Sequence, residues 1–465
     1  MIQRLCLILS FVLSVPLTLY SQTPTYEEVQ TLMNKYLPSS SEVGIAVYNL
    51  STNQWVYQHN AYKLSRPAST MKLITGVTAL AYDAPQFTTT VWYDGEIKDA
   101  TLHGNLYVVG SMDPEFDDSK MNQLADAVCK LKIKTITGNI YGDVALKDSL
   151  YWGVGWGWDD NPNAYQPYLS PLMYNKGKIT IIAKPNNPGQ KANLLLSPET
   201  SYFSVTNKTN SKNPKAGKFT ATRDWLENKN DITVSGNVDR YRIRELNVVH
   251  PELFFLYTFQ DKLSKKGIAL KGSYKVKEFA KTFKSKQVCA VSTSIQEVLV
   301  PMLKESDNLN AESLLIRLGR KNKVKHISAE DGIEYIDSLL LQINENPSSY
   351  RFRDGSGLSS YNLVSPTLLV NILRYAYRNP HIYNQVLEGM PIAGIDGTLS
   401  YRMKNTPAYR KIKAKTGTIN AISSLAGYAE NSKGEILAFA ILNQNILKTI
   451  NAHRFQDALC ALLCQ

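Results

Sequence analysis

Arg66-Pro67-Ala68-Ser69-Thr70-Met71-Lys72 sets a hydroxyl and an amine three residues apart. On a helix that spacing brings both side chains to one face. The residues that follow predict a buried helix over 69–82 whose first turn begins at Ser69, with Leu73, Ile74, Val77 and Leu80 sharing one side. A buried amine gives up its proton more readily and can then take the serine's, while the positive end of the helix favours the oxyanion that forms. Taken alone the pattern is weak. A Ser-x-x-Lys is expected about once or twice by chance at this length, and a helix cap plus a surface lysine accounts for it more simply. It occurs once here, directly behind Arg66-Pro67-Ala68.

Two further stretches change that reading. Ser306-Asp307-Asn308 lies between helical segments, and Lys415-Thr416-Gly417-Thr418 continues a strand. Ser-x-Asn is common, and Ser51-Thr52-Asn53 fits it as a turn, whereas Lys-Thr-Gly occurs once. The three motifs stand in the order found in penicillin-recognising acyl-serine enzymes. Each has a physical use. Lys415 and Ser306 can relay protons and keep Lys72 neutral, the Asn308 amide can hold a substrate backbone, and Gly417 lets substrate approach the strand edge.

Ser69 and Ser306 are 237 residues apart, far more than most penicillin-recognising enzymes need, and a β-rich region fills the gap. With Gly142-Asp143, Gly155-Trp156-Gly157-Trp158-Asp159-Asp160, Asp354-Gly355-Ser356-Gly357-Leu358-Ser359 and Pro391 to Leu399, the chain resembles the class C low-molecular-mass penicillin-binding proteins. These are the DacB-type D-alanyl-D-alanine carboxypeptidase/endopeptidases. The resemblance runs from about residue 25 to the end. It implies an α+β transpeptidase fold, a five-stranded antiparallel sheet flanked by helices, with β-rich insert domains. The divisions expected are a signal peptide (1–21), a first peptidase part (22–84), an insert of two subdomains (85–287) and a second peptidase part (288–465).

The resemblance also implies roles. Ser69 would be acylated, with Lys72 as its base. Ser306 would pass the proton to the leaving D-alanine, Asn308 would hold the acyl-side peptide, and Lys415 would polarise Ser306. Thr416 and Thr418 would contact the substrate carboxylate beside Gly417, and the N–H groups of Ser69 and Thr418 would form the oxyanion hole. Asp307, Asp354, Ser356 and Asp396-Gly397 read as structural supports of the cleft. The substrates implied are peptidoglycan stem peptides and cross-links, with β-lactams as covalent inhibitors and no cofactor.

The rest of the chain bounds these expectations. Helix and hairpin patterns occupy 26–59, strands dominate from about Pro85 to Phe279 with one helix near Pro251 to Lys265, and helices return from about Ser292 before a final run of strands and a helix from Thr449. Asn207 to Lys218 reads as an exposed loop. Trp152, Trp156 and Trp158 are expected to pack in the insert's core rather than to stack on a sugar. Met1 to Arg4 carries one positive charge and Leu5 to Leu19 none. That is a signal-peptide pattern too short for a spanning helix, and it predicts export to the periplasm.

Four cysteines, Cys129, Cys289, Cys460 and Cys464, remain after the leader; no bridge is required, and the last two suit a buried helix face. The six histidines are scattered, so no metal is expected. Lys and Arg number 52 against 40 acids, for a net charge of +12. These charges are dispersed, which suits contact with an anionic membrane face or wall polymer better than nucleic acid. Oligomeric state, and the balance of carboxypeptidase and endopeptidase action, are open. A serine β-lactamase poorly fits the long insert, and an α/β-hydrolase lacks its G-x-S-x-G. A non-catalytic wall-binding scaffold has no need of Ser69, Lys72, Ser306 and Lys415 together.

Overall fold

The computed structural model describes residues 24–465, so the expected signal peptide lies outside the described residues. Its central element is a five-stranded antiparallel sheet ordered Ile412–Ile419, Ile422–Glu430, Ile436–Gln444, Glu42–Asn49, Gln54–His59. The first hairpin of the chain is thus completed by its last three strands. Alternation along the strands explains why both faces are covered. Ala46, Tyr48, Ala426, Tyr428 and Ala440 point into one core, while Ile45, Val47, Leu425, Phe439 and Ile441 point into another. Burying a side chain such as Phe439, which is 0% exposed, contributes about 1.5–3 kcal/mol.

Each face has its own helices. Tyr26–Tyr36, started by a Thr25–Glu28 capping box, packs with the terminal helix Thr449–Leu463 on one side. On the other side lie Met71–Ala81, Ile295–Lys304, Asn308–Gly319, Ala329–Gln342 and Pro366–Arg378. Met71–Ala81 is buried from Met71 through Leu80. It is therefore a core helix enclosed by others rather than a surface helix. Ser69 itself stands in a short 3-10 turn, Ala68–Thr70, that leads into the helix. The expected helix start is shifted by this turn.

Between the two halves of the sheet lies the β-rich stretch. Phe87–Tyr93 leads away from the central sheet and its helices, and Lys286–Thr293 returns beside it as an antiparallel pair. They belong to a second five-stranded sheet covered by the helices Asp118–Cys129 and Pro251–Lys265. Two three-stranded sheets, built from strands between Lys178 and Asn247, extend this region. Two expectations fail here. Asp118–Cys129 is a second helix in a region read as having one. The polar stretch after Asn207 is not a loop throughout, because Val205–Ser211 pairs in parallel with Ile232–Val238 and buries Thr209 and Ser211. Cys460 and Cys464 are buried as expected, and all four described cysteines are free.

Candidate active site

The turn that carries Ser69 is pressed against the edge strand Ile412–Ile419. At Gly417 an added Cβ would sit 2.8 Å from the Ser69 nitrogen and 2.1 Å from Ser424 Oγ. The glycine therefore makes room for the Ser69 backbone, a different reason from the substrate approach expected from the sequence. Gly417→Ala should push the Ser69 turn off the strand and slow acylation by about ten- to a hundredfold, read as the rate of covalent labelling by a fluorescent penicillin. Gly357, at φ +81°, fits against the same turn, where a Cβ would come 1.8 Å from the Ala68 carbonyl oxygen. Ala68 and Ser306 are non-glycine residues at φ 47° and 63°. Such positions cost on the order of 1–3 kcal/mol each and persist only where the surroundings enforce them. Ser306 lines the space in front of Ser69, and Ala68 directly precedes Ser69 in its turn.

Lys72 is 0% exposed, and its Nζ makes three contacts: Ser69 Oγ at 2.9 Å, Asn308 Oδ1 at 2.7 Å and the Ser356 carbonyl at 2.8 Å. Asn308 is held in that orientation because its Nδ2 donates to the Tyr165 carbonyl at 2.7 Å. Two of the three partners are amide oxygens, which only accept. A neutral amine donates its two hydrogens to those oxygens and turns its lone pair to the one partner that can donate, the Ser69 hydroxyl. Burial lowers the Lys72 pKa to about 8, against the opposing pull of Asp354, Glu312 and Asp307. With its pKa lowered to about 8, more of this amine is neutral than of an exposed lysine, and its place 2.9 Å from Ser69 Oγ suits the neutral form to accept that hydroxyl's proton.

Ser306 lies across the cleft. Lys415, also 0% exposed, donates to Ser306 Oγ at 2.8 Å and to the Thr416 carbonyl at 2.7 Å. Burial first, then the neighbouring Lys72, holds its amine well below the usual lysine range. Asp307 caps the helix Asn308–Gly319 by accepting from the Asn310 N–H at 3.1 Å, and pairs with Lys176 at 2.9 Å. Thr416 Oγ1 bonds Thr398 Oγ1 at 2.7 Å. Thr418, at the mouth, is exposed.

Beneath these groups lies a carboxylate that no motif indicates. Glu312, one turn along the helix from Asn308 and 2% exposed, accepts from the Gly355 and Ser356 N–H groups, the latter at 2.8 Å. Burial and the charge of Asp354 push it up to about 8. The only trace in the sequence is an acid set among Leu309, Ala311, Leu314 and Leu315 on an otherwise apolar helix. Asp354 is 0% exposed and accepts from five donors: Trp156 Nε1, Gly357 N, Ser359 N, Asn362 Nδ2 and, at 3.4 Å, Ser356 Oγ. It ties the turn bearing the Ser356 carbonyl to the insert.

Two cavities meet at Ser69 and Ser306. The larger, about 750 Å³, runs past Arg66, Trp156, Asp160, Tyr165 and Asn308. The smaller, about 270 Å³, is lined by Thr398, Arg402, Thr416, Thr418 and His453. Arg402 is steadied by Asp457 at 2.6 Å.

Residues 27–465 match the D-Ala-D-Ala carboxypeptidase 3 (S13) family. The chain belongs to that family. It is a serine hydrolase of the D-Ala-D-Ala carboxypeptidase type. D-alanyl-D-alanine carboxypeptidase DacB of Haemophilus influenzae is 28% identical over 441 residues, 92% of this chain and 90% of that protein. The D-alanyl-D-alanine carboxypeptidase of an Actinomadura species is 27% identical over 446 residues, 90% of this chain and 81% of its own. The crystal structure of penicillin binding protein 4 (dacB) from H. influenzae superposes with a TM-score of 0.81 at 25% identity, covering 93% of this chain and 98% of that one. The same H. influenzae protein is also known complexed with a novel β-lactam. Among the described residues of this S13 chain, no helix is long and apolar enough to cross a membrane.

Proposed function

We propose that this S13 protein removes the terminal D-alanine of peptidoglycan stem peptides, and cuts D-alanyl cross-links, through an ester on Ser69. The observation that carries the proposal is the set of partners around Lys72 Nζ, two obligate acceptors and one hydroxyl. The Ser69 proton passes to the neutral Lys72 amine as Oγ bonds the carbonyl carbon of the penultimate D-alanine. The N–H groups of Ser69 and Thr418 receive the oxyanion, a service worth about 3–4 kcal/mol per donor. The C–N bond then breaks, and the leaving nitrogen takes a proton through Ser306, backed by Lys415. Water attacks the ester next, yielding a carboxylate and restoring Ser69.

The two cavities support an assignment of sides. Thr416, Thr418 and the Arg402 guanidinium in the small one suit the carboxylate of the departing D-alanine. The large one, with Asn308 at its start, suits the stem peptide. Ile412–Ile419 is an edge strand, so a substrate backbone can lie along its free side. A D-alanyl cross-link offers the same acyl group, which is why both reactions fall to one site. A β-lactam differs in that its leaving nitrogen stays tethered in the product and obstructs water, so its adduct is long-lived.

The wall lies outside the cytoplasmic membrane, so in this reading Leu5 to Leu19 directs export and the enzyme works in the periplasm. The catalytic unit is 22–84 with 288–465, and 85–287 is inserted as two subdomains. The pairing of Phe87–Tyr93 with Lys286–Thr293 supports that division.

The test is the intact mass of the purified protein after benzylpenicillin, followed by peptide mapping. A stoichiometric, long-lived adduct on Ser69 is expected. Rapid drug turnover without an adduct would make the protein a β-lactamase, and no reaction at all would make it a wall-binding scaffold. The pH profile gives a second check. Because the base must be neutral and its pKa is lowered to about 8, acylation should rise about tenfold per pH unit below that value and level off above it. A flat profile between pH 6 and 9 would remove Lys72 from the role.

A further inference from the structure

Trp152 and Trp158 are not core residues, whereas Trp156 packs partly buried against the cluster around Met112, Leu169 and Ile316. Trp158 is 71% exposed and Trp152 42%, and with Trp156 and Trp225 they wall a second cavity of about 480 Å³. Trp158 and Trp225 face each other with ring centroids 5.7 Å apart at 32°. Among the described residues lining this cavity none is charged; apart from the indole N–H groups, its side-chain polar groups are amides and a phenol, from Asn161, Gln166, Asn228 and Tyr168. Trp156 lines both this cavity and the larger cleft at Ser69, so the two lie side by side.

From these features we infer that the tryptophan cavity is a saccharide subsite, holding an N-acetylated amino sugar of the glycan strand whose stem peptide lies in the catalytic cleft. The inference rests on the wall-peptidase reading above. A pyranose ring has an apolar C–H face and a polar rim, and large exposed indoles bordered by neutral amides match both halves. The amides are prepared for it. Asn161 Oδ1 is taken by Asn247 Nδ2 at 2.8 Å and Asn228 Oδ1 by the Tyr168 hydroxyl at 3.2 Å, which leaves their N–H groups to a ligand. Gln166, only 2% exposed, has a side-chain oxygen with no partner. A buried acceptor in that condition is costly; the atom itself is closed to solvent, so a sugar hydroxyl or acetamido N–H satisfies it once the Gln166 amide turns toward the cavity. A charged stem peptide finds no counter-charge in this wall, whereas the catalytic cleft next door offers Arg66, Asp159 and Asp160.

The experiment uses the whole mature enzyme with Trp158→Ala and Trp225→Ala, neither of which touches Ser69, Lys72, Ser306 or Lys415. Chitotriose is titrated against tryptophan fluorescence, and turnover is compared on a free pentapeptide and on a disaccharide-pentapeptide. The expected result is saturable quenching by chitotriose in the wild type, weakened about tenfold in each variant. The KM for the disaccharide-pentapeptide should rise to a similar degree, with KM for the free peptide and the rate of penicillin acylation unchanged. Equal losses on both substrates would overturn the inference, as would absence of quenching, or a change of sedimentation showing that a second copy of the chain covers the tryptophans. If neither peptide is cut, the wall-peptidase reading fails, and the chitotriose titration alone then decides this one.

Discussion

Lys72→Met should be acylated by penicillin about a thousandfold more slowly than the wild type, with its far-ultraviolet dichroism unchanged. General-base assistance is worth roughly 10²–10⁴, and here the base also orients its target, since Lys72 Nζ is the described partner of Ser69 Oγ. Methionine keeps the length and apolar stem that the fully buried site requires. It leaves Asn308 Oδ1 and the Ser356 carbonyl without their donor, at about 1–3 kcal/mol each. It also relieves the desolvation of a buried amine, so the net loss of stability should be smaller. The residual rate should no longer rise through pH 8. A variant acylated within tenfold of the wild type would show that another group takes the Ser69 proton.

Asp354→Ala is the second large effect. One buried carboxylate accepts from Trp156 Nε1, Gly357 N, Ser359 N, Asn362 Nδ2 and Ser356 Oγ, and alanine removes the acceptor of all five. The expected cost is about 3–5 kcal/mol in urea unfolding. Penicillin acylation should fall with it, since the Ser356 carbonyl that orients Lys72 sits two residues on. Asp354→Asn should recover only part of the loss, because its amide hydrogens then face N–H groups. The neighbouring Ser360→Ala, which removes only a 3.4 Å contact to the Gly155 carbonyl, is the control and should leave both measurements nearly unchanged. Full stability in Asp354→Ala would mean that the turn is held by Glu312 alone.

What could be read from the sequence was what is local. Ser-x-x-Lys, Ser-Asp-Asn and Lys-Thr-Gly announce themselves because their chemistry lies within three or four residues, and the end strands because their apolar runs are long. Glu312 was not legible, since its meaning comes from the Gly355 and Ser356 N–H groups that only the fold brings to it. Asp118–Cys129 was hidden by Asp, Ser and Asn, weak helix formers at its start, although Met121, Leu124, Ala125 and Val128 make a proper buried face. Val205–Ser211 mixes strand formers (Val205, Thr206, Thr209) with Asn207, Lys208 and Asn210, which disfavour strands, and Ile232–Val238 offers it an edge to pair with. For the tryptophans, size and apolarity favoured the interior, and only the tertiary structure could reveal that several converge on an open wall beside the nucleophile.

The order of strands in the central sheet has a bearing on how the molecule is made. Glu42 pairs with Gln444 and Asn49 with Leu437, so the first of the described strands has one of its two neighbours among the last. Contacts of such sequence separation form slowly, since a long loop must close before they give anything back. The inserted sheets complete themselves from residues 87–293 and can fold while the hairpin Glu42–His59 still waits with an unpaired edge, an aggregation hazard during that interval. Loss of the final strands Ile422–Glu430 and Ile436–Gln444 would leave Lys415's strand with nothing to join. A chain cut short near its end would therefore retain a folded insert and no nucleophile site, whereas one cut within the insert would lose both.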